Sequence, residues 1–154
     1  LIGSSMGAWI MLMLAKRIPN KISAIIGLAP APDFPKILIW DKMTGDEKRK
    51  LIKNRKISIK YEDGSKNDFS YKLIKDSFKN LTLLENIYFN GSVYLYHGIA
   101  DDAVPYDLSI KIIKTFTGTK DVKLLLEKEA GHRLSETHQL QNITNIIQEI
   151  KNKL

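Results

Sequence analysis

Cysteine is absent from this 154-residue chain. A disulfide scaffold, a cysteine metal site and a cysteine nucleophile are therefore excluded. The absence accords with a reducing compartment, and a cytoplasmic setting is expected. Long apolar runs are missing too. The block "AWIMLMLA" (Ala8 to Ala15) falls far short of the roughly 18 apolar residues of a spanning helix. No cationic segment precedes it, and Lys16-Arg17 follows where a signal peptide would have a small-residue cleavage site. It reads as a buried helix, with no transmembrane segment expected. Histidine is scarce, at three residues, and no His/Asp/Glu set has convincing metal-ligand spacing. No metal or cofactor is expected.

Acidic residues are the minority charge, leaving a net charge of +7. The lysines are dispersed along the chain, as on a solvated surface. Nucleic-acid binding needs a basic stripe with interleaved aromatics or a recognisable motif. The densest basic run, "DEKRKLIKNRK" (Asp46 to Lys56), opens with acids and carries Leu51 and Ile52. An amphipathic helix followed by a turn explains it, and no nucleic-acid partner is expected. With 44% hydrophobic residues, the chain can build one ordinary core but not two full domains. Its oligomeric state is not readable from the sequence.

Four strand candidates are present. Leu1-Ile2 reads as the last stub of one. "ISAIIGLAP" (Ile22 to Pro30) is a continuous apolar run ended by proline, as in a strand buried on both faces. "SVYLYHG" (Ser92 to Gly98) is β-branched and aromatic, and follows the Asn90-Gly91 turn signal. "VKLLLEK" (Val122 to Lys128) lies between Gly118 and Gly131. Helical patterns alternate with them. Met6 to Arg17 is apolar nearly all round, so burial is expected. Tyr106 to Phe116 spaces Leu108, Ile112, Ile113 and Phe116 helically. Glu136 to Lys153 places Leu140, Ile143, Ile147 and Ile150 on one stripe. The alternation implies an α/β fold with a mostly parallel sheet and helices on both faces.

Residues 33–90 interrupt this rhythm and are expected to form an inserted cap on a single domain, being far longer than an ordinary connection. Thr44 and Glu47 are spaced as a capping box. "YEDGSKNDF" reads as a hairpin connection turning at Asp63-Gly64, and Ser70 to Asn80 as a helix.

Three stretches could carry chemistry. Gly3-Ser4-Ser5-Met6-Gly7 fits G-x-S-x-G, between a strand stub and a buried helix. Serine is a poor nucleophile unless a base takes its proton and donors hold the developing oxyanion. A sharp strand-to-helix turn supplies the geometry, with Ser5 as nucleophile and the Met6 N–H as one oxyanion donor. "HGIADDAVP" (His97 to Pro105) ends a strand and offers Asp101, or alternatively Asp102, to orient a histidine. Asp33 after "LAPAP" is a further alternative. "EAGHRLS" (Glu129 to Ser135) offers His132 after the last strand. All lie at C-terminal strand ends, where open α/β sheets bind ligands. The order Ser, Asp, His is that of α/β hydrolases, unlike chymotrypsin or subtilisin. His97 reads as structural, tied to the acid loop, and His138 as a solvated helix residue.

"LIGSSMGAWIMLMLA", "IIGLAPAPDF", "VYLYHGIADDAVPYDLS" and "LLLEKEAGHRLSE" resemble successive blocks of the α/β-hydrolase superfamily. They are most similar to the group of the mitochondrial palmitoyl-protein thioesterase and acyl-glucuronide esterase and its bacterial relatives. The resemblance implies Asp101 as the acid of H-G-x-x-D-x-x-V-P, Ser5 as the nucleophile of G-S-S-x-G, and His132 as the base of its G-H-R motif. It implies a serine hydrolase that cleaves a small-molecule or acyl-protein ester or thioester through an acyl-enzyme. A prolyl-oligopeptidase-like peptidase or an inactive truncated chain are the alternatives. The cap is expected to shape an acyl pocket, with Phe34, Ile37, Leu38, Trp40 and Phe78 as lining candidates. The resemblance covers only the C-terminal part of such an enzyme. The early strands and the H-G-x loop with a second oxyanion N–H have no counterpart in the sequence. The chain is therefore expected to be a fragment, inactive by itself and prone to aggregate through an open sheet edge.

Overall fold

The computed structural model describes residues 1–60, 64 and 66–153. In chain order the elements are β1 (Ile2–Ser4), α1 (Met6–Arg17), β2 (Ala24–Leu28), α2 (Gly45–Asn54), β3 (Lys56–Lys60), β4 (Lys66–Ser70), α3 (Tyr71–Ser77), β5 (Ile87–Tyr88), β6 (Ser92–Gly98), α4 (Asp107–Thr115), β7 (Phe116–Thr117), β8 (Val122–Glu127) and α5 (Thr137–Lys151). They fall into two compact units. One comprises Leu1–Pro32 with Thr82–Leu154, and the other Asp33–Leu81.

The first unit is built on a four-stranded parallel sheet in the order β1-β2-β6-β8. Strand alternation sends successive side chains to opposite faces. On one face Ile25, Val93 and Leu95 pack with Ala8, Met11, Leu12 and Ala15 of α1 and Ile112 of α4. On the other, Ala24, Ile26 and Tyr94 meet Ile150, and Ala29 and Tyr96 meet Ala130 and Leu134. Helices thus cover both faces, as the alternating pattern implies. Ile87 and Phe89 belong to this core, so residues 82–90, expected in the cap, sit in the first unit instead. No described helix is long and apolar enough to cross a membrane.

Two helical stripes differ from expectation. In α1, Met6 and Ile10 are exposed along with Leu14; only the Ala8, Trp9, Met11, Leu12 and Ala15 face is buried. In α5, Leu140 and Ile147 turn outward. The inward stripe is Gln139, Ile143, Ile146 and Ile150. The helical period is shared by both stripes. Contact with the sheet selects the one whose polar member, Gln139, finds a partner.

That partner is Glu127, the last residue of β8. Its Oε1 accepts from Gln139 Nε2 at 3.1 Å and His138 Nε2 at 2.7 Å, and its Oε2 accepts from the buried Tyr96 hydroxyl. His138 is exposed, as expected, and also engages this carboxylate. Gln139 also accepts from the Glu136 N–H, closing a capping box at the start of α5. The carboxylate therefore ties both ends of the 128–136 loop. Hydrogen bonds from His138, Tyr96 and Gln139 lower its pKa to about 2.

The second unit contains α2, the antiparallel β3–β4 hairpin and α3. Thr44 and Glu47 form the capping box expected of them. The turn expected at Asp63-Gly64 falls largely outside the described residues, Gly64 alone being described. Phe34 is buried and meets Phe69 edge-on at 5.8 Å, and Trp40 meets Phe78 at 6.0 Å. Lys48 sits over the Trp40 ring. Leu38 lines a groove of about 270 Å³ with Ile39, Met43, Ile57 and Ile59. Ile37, next to Leu38, is half-buried.

Gly98 ends β6 against the 128–136 loop. A Cβ there would lie 1.9 Å from the Ala130 carbonyl oxygen. Gly98→Ala must push the loop away, and a cost of about 1–3 kcal/mol is expected in urea unfolding. Glu127→Gln tests the carboxylate. The folded pKa lies below the ordinary 4.5, so its stabilisation is present above that pH and is lost as pH falls toward 2. The Tm gap between wild type and Glu127→Gln should be full at neutral pH and close across that window. A gap independent of pH would contradict it.

Candidate active site

Gly3 gives β1 its close passage to α1. A Cβ on it would stand 2.6 Å from the Gly7 backbone. Gly7 itself has open space where a Cβ would go, so of the two flanking glycines only Gly3 is required sterically. Between them Ser5 takes φ 52° and ψ −117°, a conformation rarely adopted by residues with a side chain. The turn is locked by its backbone. Ser5 N–H donates to the Leu28 carbonyl, and its own carbonyl accepts from Ala8 and Ala31. The Ser5 side chain makes no capping bond to α1, leaving Oγ for other work. Met6 opens α1, and the first N–H groups of a helix have no intrahelical acceptor.

Asp101 follows β6 in a tight loop. Its Oδ1 accepts from the Ala103 N–H at 2.9 Å and the Val104 N–H at 2.8 Å. Its Oδ2 accepts from His132 Nδ1 at 2.7 Å and His97 Nε2 at 3.0 Å. Its side chain is wholly buried, while that of His132 is 27% exposed. Burial opposes the charge of Asp101. Hydrogen bonds from His132, His97 and the Val104 N–H outweigh it and hold the carboxyl well below the ordinary carboxylate range.

His132 completes the line. With Nδ1–H donated to the carboxylate, Nε2 carries the lone pair and accepts from the Ser5 hydroxyl at 3.0 Å. Three loops, after β1, β6 and β8, thus bring Ser5, Asp101 and His132 together. Adjacent strands in one parallel register put these loops at one edge of the sheet. The acid and histidine loops are also joined directly. Ala100 N–H donates to the Ala130 carbonyl, and Ile99 N–H to that of Glu127.

The alternatives for the acid fall elsewhere. Asp102 is exposed. Asp33 is buried, belongs to the second unit, and caps the turn after it through its carbonyl, which accepts from Lys36 and Ile37. His97 is tied to the acid loop as its sequence position implies. Ser109 on α4, whose hydroxyl lies 2.7 Å from His97 Nδ1, was not readable from the sequence; its one signal is a small polar residue on the apolar stripe of a helix. Among the described residues no cluster of His, Asp and Glu could hold a metal ion.

No protein-family signature matches the chain. The human mitochondrial palmitoyl-protein thioesterase ABHD10 is 30% identical over 156 residues, taking in all of this chain and 50% of that protein. A putative hydrolase from Agrobacterium vitis is 30% identical with a TM-score of 0.89, covering 97% of this chain and 60% of that one. Mouse alpha/beta hydrolase domain-containing protein 10 is 25% identical with a TM-score of 0.89, covering 99% of this chain and 61% of that one. The chain spans about half the length of the curated relatives it matches. The chain has the α/β-hydrolase fold and is similar in sequence to these proteins.

Proposed function

We propose that the protein is a serine hydrolase that cleaves an ester or thioester by acyl transfer. The observation that carries this reading is the unbroken hydrogen-bonded line from Ser5 Oγ through the His132 ring to Asp101 Oδ2. Ser5 attacks the acyl carbonyl while His132 Nε2 takes its proton. The carbonyl becomes a tetrahedral oxyanion, and the Met6 N–H at the start of α1 is one of its donors. His132 then protonates the leaving alcohol or thiol, and the acyl-enzyme forms. Water, deprotonated by the same ring, releases the acid and restores Ser5. Asp101 fixes the tautomer and stabilises the imidazolium without accepting a proton.

The name of the 30%-identical relative, a palmitoyl-protein thioesterase, favours a thioester or ester over an amide. The residues Phe34, Ile37, Leu38, Trp40 and Phe78 are proposed to line the acyl pocket; of these, Leu38 lines the groove of the second unit, whose walls mix aliphatic residues with Lys42, Glu47 and Ser58. The cytoplasmic setting is kept as a proposal on the lack of cysteine.

A fluorophosphonate probe should label the full-length protein at Ser5. Labelling that survives Ser5→Ala removes the hydrolase reading. Asp101→Asn should lower kcat by about 10⁴-fold, because the imidazole loses the partner that fixes its tautomer. Since Asp101 stays ionised below its ordinary pKa, its own protonation should contribute nothing to a loss of activity in mild acid, as a pH–rate profile would show. Trp40→Ala should raise KM for long acyl substrates more than for acetyl esters; equal effects on both would remove the proposed pocket role.

A further inference from the structure

We infer that Ser109 is a positioning residue for the Ser5, His132 and Asp101 line, acting through His97. Its hydroxyl fixes His97 as the neutral Nε2–H tautomer, and this leaves the whole charge of Asp101 to His132. The inference rests on the serine-hydrolase reading and adds to it a residue on α4.

The argument is a proton count in a dry site. His97 and Ser109 are both 0% exposed. His97 Nε2 lies 3.0 Å from Asp101 Oδ2 and 3.0 Å from the Val104 carbonyl oxygen. Both of these only accept, so Nε2 carries a proton. The far nitrogen, Nδ1, is 2.7 Å from Ser109 Oγ. A hydroxyl can donate or accept there. Were Nδ1 protonated, Ser109 would accept, and its own hydrogen would need another acceptor. Among the described residues none is recorded for it, and no buried side-chain polar atom is left without a partner. Leaving that hydrogen unpaired in a dry site would cost the desolvation of a donor, so the hydroxyl donates to Nδ1. Nδ1 therefore holds a lone pair, and His97 is neutral.

The consequence falls on Asp101. Its Oδ2 accepts from two imidazoles at once, His97 Nε2 at 3.0 Å and His132 Nδ1 at 2.7 Å. If both rings were cationic they would share one negative charge. The imidazolium that forms on His132 during the reaction would then be less favoured. A neutral His97 orients the carboxylate without spending its charge. Loss of the Ser109 hydroxyl leaves Nδ1 without a donor, and the ring that orients the carboxylate through Nε2 is then free to turn.

The position in the fold makes the arrangement rigid. His97 shares the β6 face of Val93 and Leu95, which packs on α1 and α4. Ser109 lies one helical turn before Ile112, which is in the same core. A helix packed on the sheet thus reaches the acid loop through one buried hydrogen bond.

Two measurements on the full-length protein test this. Histidine ¹⁵N NMR should show His97 protonated at Nε2 and unprotonated at Nδ1; a protonated Nδ1 overturns the inference. The second uses Ser109→Thr and Ser109→Val, which match in volume and differ in the hydroxyl. Ser109→Val should lose about tenfold in kcat relative to Ser109→Thr. KM should be the same in both. Equal kcat in the pair overturns the inference while leaving the hydrolase reading intact, which Ser5→Ala alone decides. If Ser109→Val does not fold, the wild-type tautomer decides the question.

Discussion

The carboxylate of Asp101 is the point on which the site depends. A buried anion is costly unless its oxygens are filled with donors. Here four donors fill them, two from backbone amides and two from imidazoles. Each donor comes with a constraint. The amides of Ala103 and Val104 fold the loop around the acid. His97 anchors it to β6, and His132 draws in the loop that follows β8. With those loops fixed, Ser5 on the neighbouring turn meets a ring that is already oriented. Removing the charge would leave several directed N–H groups with no acceptor in a dry place, so the cost would spread well beyond one hydrogen bond.

The sheet explains why such distant residues converge. Parallel strands end together, and the loops leaving them share an edge. The core on either face is ordinary apolar packing, yet it sets the register of β6 against β2 and β8. Gly98 lets the acid loop and the histidine loop approach to backbone contact. The Glu127 cluster then ties the second of these loops at both ends. Polar groups with complete hydrogen bonding specify the loops, while the apolar layers supply the stability that makes them affordable.

Much of this was legible in the sequence. β6 and α1 match their expected bounds because strong local signals frame them: Asn90-Gly91 before one and the Gly3–Gly7 turn before the other. Ser5, Asp101 and His132 could be named because each sits in a short local motif at the end of a strand pattern. Other features had no local mark. The α5 stripe was misread because Leu140 and Ile147 are apolar at helical spacing, yet the sheet meets the neighbouring face. Gln139 and Glu127 look like surface residues until folding joins them. Ser109 is one serine among many. The polar stretch before β6 conceals Ile87 and Phe89, which belong to the core of the first unit. Pairings between distant residues of common types leave no periodic trace, and that is the limit of reading a single chain.

The backbone of Ser5 has a further consequence. Its positive φ is tolerated because the bonds around Leu28, Ala8 and Ala31 hold it, at a cost on the order of 1–3 kcal/mol. Glycine would relax there, and the molecule would fold more firmly without its hydroxyl. The residue proposed as nucleophile is therefore not the one that best suits the chain. A side chain held at that turn against its own preference accords with the proposed role, a mark left in conformational energy rather than in motif.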